Sequence, residues 1–297
     1  MSLLKLTEDE LVKRLRWVMV AAIVFSMINT LAGQPGSLWQ HPDTAMRGDG
    51  LSIHNATNHT FEFFLGRSWQ AYVLANLVYI SGALLVVSIL PRTAALIAIF
   101  SVLFGHFFGA TNWLAVRWHL GLAAPTMYGF TLGAVLAAVT FPAGGPASDQ
   151  IIKRLRWLMI AAMLLDGTNT LIGQPGSYWH HPETVHEGNQ FFRWFLMQGW
   201  WGYVLVEAVY CSGMFLLVSI LPKTGALTCI FAIILTHYAG ASNWFFYEWR
   251  MGMQSPVIYG VVLSVAIVLL AFSRCPKTNH AASRAGKPVT TVCSNFC

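Results

Sequence analysis

Hydrophobic and polar positions along this chain are segregated on a long scale, with apolar runs of span length separated by short polar segments. Runs able to cross roughly 30 Å of hydrocarbon lie at about 16–32, 69–90, 93–113, 120–141, 156–172, 200–221, 224–244 and 256–272. They predict eight transmembrane helices, of which the first and fifth sit at the lower limit of a span. Both of these end alike: Gly33 and Gly173 stand where a C-terminal cap takes positive φ, and Pro35 and Pro175 keep the helix from resuming.

The pattern is written twice. "NTLAGQPGSLWQHPD" from Asn29 recurs as "NTLIGQPGSYWHHPE" from Asn169, "KRLRW" at Lys13 recurs at Lys153, and "SILPRTAAL" at Ser88 recurs as "SILPKTGAL" at Ser219. Four spans per copy is an even number, so both copies enter the membrane from the same side. The expected fold is therefore an all-α integral membrane protein of two tandem parallel four-helix repeats, related by a pseudo-two-fold axis along the membrane normal. Residues 1–141 form the first repeat, 142–152 a cytoplasmic linker, 153–273 the second repeat and 274–297 a polar cytoplasmic tail expected to be disordered.

Composition agrees. With 56% hydrophobic residues and only 10% charged ones in 297 residues, the chain has too few charges to cover a water-soluble surface of that size. The formal net charge of +6 would suit a nucleic-acid partner in a soluble protein, yet here it is absorbed by topology. Of 18 Lys and Arg, all but Arg47, Arg67, Arg117, Arg193 and Arg250 fall on one side of the predicted spans. That side is expected to be cytoplasmic and to hold both termini, making a multi-pass protein with the lipid bilayer as its first partner and no nucleic acid. Nine Trp residues, among them Trp113, Trp179, Trp200 and Trp244, gather at the opposite interface as an aromatic belt. Asn55 and Asn58 match the glycosylation acceptor pattern in the first outer loop. The five cysteines imply no structural disulfide, since Cys275, Cys293 and Cys297 lie in the tail and Cys211 and Cys229 in spans.

Candidate chemistry rests on polar residues inside the spans. Counting inward from the outer ends at 1.5 Å per residue puts Asp166, Glu207 and His237 at one depth, roughly 10 Å below the surface. The matching positions of the first copy are Ser26, Asn76 and His106, with both carboxylates absent. Placing an ionisable group in a span costs at least a few kcal/mol, which marks a functional site; the competing structural role is an interhelical hydrogen bond worth about 1 kcal/mol. Asn169 and Gln174 extend a polar stripe from this layer toward the Gly-Gln-Pro-Gly-Ser turn, and Tyr210 shares the helix face of Glu207. In the outer loop, His180, His181, Glu183, His186 and Glu187 offer nitrogen and oxygen donors at spacings that suit a divalent metal ion, although they match no standard motif.

These residues support a protein that binds or transports a proton, cation or small polar solute through an outward-facing pocket in the second repeat. The alternative is a membrane-bound metal- or haem-dependent oxidoreductase, with His106 and His237 as two axial haem ligands; a structural membrane subunit is the third reading. No P-loop, dinucleotide fingerprint, Cys-x-x-Cys or nucleophile elbow is present. Oligomeric state leaves no mark in the sequence.

Overall fold

The computed structural model describes residues 8–34, 63–141, 147–252 and 254–272. The tail, both glycosylation acceptor patterns and most of the first outer loop lie outside the described residues. Seven described helices are long and apolar enough to cross a membrane, which identifies a multi-pass membrane protein. In chain order the helices are α1 (Glu8–Ala32), α2 (Trp69–Ile89), α3 (Arg92–Val116), α4 (Ala123–Thr140), α5 (Ala147–Ile172), a short α6 (Gln190–Met197), α7 (Trp200–Ile220), α8 (Lys223–Asn243) and α9 (Gln254–Phe272). Of the eight long helices only α5 is not among the seven. Its stretch carries Arg156, Asp166 and Asn169, which lower its mean hydropathy.

The pattern of apolar runs places the long helices well but misses their extents in three places. α1 and α5 are 25 and 26 residues long, longer than their apolar runs, because amphipathic first turns continue the helix past the hydrocarbon: Leu11, Val12 and Leu15 are buried while Lys13 and Arg14 are exposed. Residues 147–152, expected as linker, are accordingly helical. The third difference is α6, read from sequence as loop. Asn189 caps it, its side chain accepting a hydrogen bond from the Phe191 N–H at 3.0 Å, and it exposes Phe191, Trp194 and Met197. A short helix with such a face lies in a membrane interface.

Two helix pairs dominate the packing between halves of the chain. α4 packs most extensively on α8, and α9 on α3. Gly129 and Gly133 make the first of these possible, since a Cβ at Gly133 would stand 2.9 Å from the backbone of Thr228 and Ala232, the close approach that a small-x-x-x-small face allows in membranes. Within each half, α1 packs on α3 and α5 on α8 in the same manner. Aromatic rings fill the centre: Phe104 meets Tyr238 at 4.7 Å and Phe107 meets Tyr128 at 5.1 Å between centroids. α2 and α7 are outermost, with Leu74, Val78 and Leu85, and Leu205, Val209 and Leu216, on exposed faces that suit lipid.

The repeated words meet in space. An Arg of each "KRLRW" reaches the end of the helix that carries "SILP": Arg16 donates to the Val87 carbonyl at 3.1 Å, and Arg156 donates to Ser219 Oγ at 2.8 Å while lying 4.1 Å over the Phe215 ring. Gly33 and Gly173 likewise meet the Trp of "NW". Neither has positive φ, contrary to the cap expected of them. Glycine stands there because a Cβ would fall 2.8 Å from the Trp113 ring and 2.4 Å from the Trp244 ring.

Candidate functional site

Three of the expected residues come together on three helices. His237 of α8 and Asp166 of α5 are in contact, Nδ1 to Oδ2, at 2.8 Å, and both side chains are mostly buried. Glu207 of α7 packs its carboxyl group against Gly167, where a Cβ would stand 3.0 Å from Oε1, and accepts a long hydrogen bond from the Cys211 thiol at 3.7 Å. Gly240, one turn after His237, is as tightly held: a Cβ there would be 2.5 Å from Asp166 Oδ2. Two glycines therefore admit two carboxylates between helices. Tyr210 completes this layer, its ring 6.0 Å from that of His237.

The first half of the chain repeats the frame without the charges. Tyr79 and His106 lie 5.7 Å apart at the same interplanar angle of 45°, and Gly109 faces Ser26 Oγ where Gly240 faces Asp166. His106 and His237 are not brought together. Each ring faces the outer helices of its own half, through Tyr79 of α2 and Tyr210 of α7, while Phe104, Phe108 and Tyr238 occupy the ground between α3 and α8.

Above the charged layer the segment 174–199 folds into a cap. Tyr178, Val185, Leu196 and Tyr203 form a small core of their own, and the Tyr178 hydroxyl donates to the Leu196 carbonyl at 3.1 Å. Gln174 is its latch: Nε2 donates to the Thr170 and His186 carbonyls, and Oε1 accepts from the His186 N–H, all at 2.8 Å. That amide is fully committed to backbone, whereas Asn169, just below and equally buried, leaves its Nδ2 without a partner among the described residues. Its counterpart Asn29 donates to the Ala110 carbonyl and accepts from Trp118 Nε1.

The divalent site read from the cap residues is not assembled. Among the described residues no three His, Cys, Asp or Glu side chains gather as metal ligands. His180 is exposed, His181 turns to Glu183 at 3.2 Å, and His186 turns to Glu248 at 3.9 Å. Glu187 instead bends inward, Oε1 accepting the Asn189 N–H at 2.6 Å. Burial, helped by the nearby Asp166 charge, pushes its carboxyl group up to about 7 against the hydrogen bonds from Asn189 and Gly188.

A cavity of about 460 Å³ joins cap and layer. His186, Glu187 and Glu248 stand at its mouth, Asn243 and Trp244 along its wall and Gly240 at its floor, so that it reaches the glycine against which Asp166 packs. Sequence reasoning did not find Asn243, Trp244 or Glu248 as cavity residues. The recurrence of Asn112-Trp113 as Asn243-Trp244 is the signal in the sequence that could point to them. No family model, curated protein or solved structure is similar to this chain.

Proposed function

We propose that the chain binds or transports a small cation, proton or polar solute, taken from the outside through the cavity between cap and α8 onto Asp166, Glu207 and His237. The observation that carries this reading is the 2.8 Å contact of Asp166 with His237 beneath an open cavity, with a second carboxylate one glycine away. Ionisable groups in a membrane helix are costly, and a pocket that comes as near to them as Gly240, the glycine against which Asp166 packs, offers what a merely structural pair does not need. The frame proposed for it is eight transmembrane helices in two parallel repeats, with termini in the cytoplasm. Support comes from the matched pairings of α4 on α8 and α9 on α3, and of α1 on α3 and α5 on α8. Haem held between His106 and His237 is disfavoured by the direction of the two rings.

Purified protein reconstituted on a solid-supported membrane tests this. Steps of pH, sodium, potassium and organic ammonium should displace charge in at least one case. Asp166→Asn with Glu207→Gln should abolish that displacement, and His106→Ala should retain most of it. Unchanged displacement in the double variant, or none with any step, overturns the reading.

A further inference from the structure

At four matched positions around the layer and the cavity, the second repeat is the more acidic of the two. Asp166 stands for Ser26, Glu207 for Asn76, Glu187 for Arg47 and Glu248 for Arg117. The last two are full reversals of sign at the mouth of one cavity. In the first half Arg117 spends its Nε on the Gly33 carbonyl and Trp118 its Nε1 on Asn29. In the second, Glu248 turns to His186 beside open space. The second repeat thus sets Glu187 and Glu248 at its cavity where the first repeat has Arg47 and Arg117 in sequence.

The wall below that mouth is not that of an inorganic cation site. Among the described residues no three ligands converge, and the space is within the range of small-molecule pockets, roughly 300–1,000 Å³, far larger than one bare ion. Leu122 and the Trp244 ring supply apolar surface. Asn243 adds a polar side chain to the lining. Carboxylates and an indole ring together describe the surroundings of an amine carrying both charge and hydrogens.

We infer that the ligand of this cavity is a protonated organic amine with a short apolar body, its ammonium group held between Glu187 and Glu248, and its body against Trp244 and Leu122. This rests on the reading of the cavity as the binding site and names the class of ligand. Calorimetric titration of the purified protein in nanodiscs, with n-butylammonium, tetramethylammonium and sodium as probes, tests it. Butylammonium should bind at least tenfold more tightly than either of the others, since tetramethylammonium lacks the N–H and sodium lacks the body. Glu187→Gln and Glu248→Gln should each weaken it about tenfold, Glu248→Asp should recover part of the loss, and Glu248→Arg, copying the first repeat, should abolish binding. Thermal unfolding at no lower temperature than the parent protein in each variant secures the comparison.

Equal or tighter binding of tetramethylammonium or sodium, or indifference of butylammonium to both glutamate replacements, overturns the inference. If butylammonium fails to bind while a pH or sodium step still displaces charge through Asp166 and Glu207, the amine is refuted and the proposed function survives. Loss of both signals refutes the two together.

Discussion

At residue scale the conspicuous glycines are gaps for aromatic rings and carboxylates. Gly173 admits the Trp244 ring, so Gly173→Ala should destabilise the protein by about 1–3 kcal/mol through overpacking. Gly213, beside which a Cβ would meet nothing within 4 Å, makes the control: Gly213→Ala should gain about 0.5–1 kcal/mol from reduced backbone freedom. Thermal unfolding in one detergent compares the two, and similar effects at both positions would contradict the packing account. Glu187 makes a second prediction. Its folded carboxyl group, raised to about 7 from the ordinary 4.5, holds its proton more tightly than in the unfolded chain. Stability from this group is therefore complete below about 4.5 and is lost as pH rises through about 7. Glu187→Gln should unfold at a higher temperature than the parent protein at pH 8, and the difference should vanish at pH 4; a gap independent of pH would show that Glu187 is not held neutral.

At the scale of elements, the cap over the cavity hangs on one side chain. Gln174 makes three hydrogen bonds, two of them to the backbone of His186, and at about 1 kcal/mol each their loss is comparable to the whole stability of a short surface segment. Gln174→Leu keeps the bulk and removes the bonds. Protease cleavage between Gly176 and Gly188 should then rise several-fold while the helices remain folded by circular dichroism. An unchanged cleavage rate would mean that the Tyr178 cluster holds the cap alone. The turn was recognisable in sequence as a helix stop, because Pro175 cannot continue a helix. Its second use, as anchor for a segment twelve residues on, depends on how the chain returns, which no local pattern encodes.

For the whole molecule, the parallel-repeat frame requires both long polar loops on one side of the membrane. Single cysteines at Asp49 and at the exposed His180 should both react with an impermeant thiol reagent in intact cells; labelling of one and protection of the other would exclude the frame. The all-helical, multi-pass character was legible from the chain alone. Apolar runs of span length have few places to go other than lipid, their spacing sets the long helices, and the recurrence of "KRLRW", "GQPGS" and "SILP" pairs the halves. Depth could be counted too, since rise per residue is constant in a helix, and so Asp166, Glu207 and His237 could be placed in one layer. Azimuth could not be counted. Which face of α8 meets α5 is decided by how Gly133 and Gly240 let neighbouring helices approach, and only that packing puts Asp166 on His237, turns His106 and His237 away from each other, and leaves a cavity walled by Asn243, Trp244 and Glu248. The donors at 180–187 parted for the same reason: proximity in sequence sets how far side chains can be apart, while the fold of the cap sets where each one points.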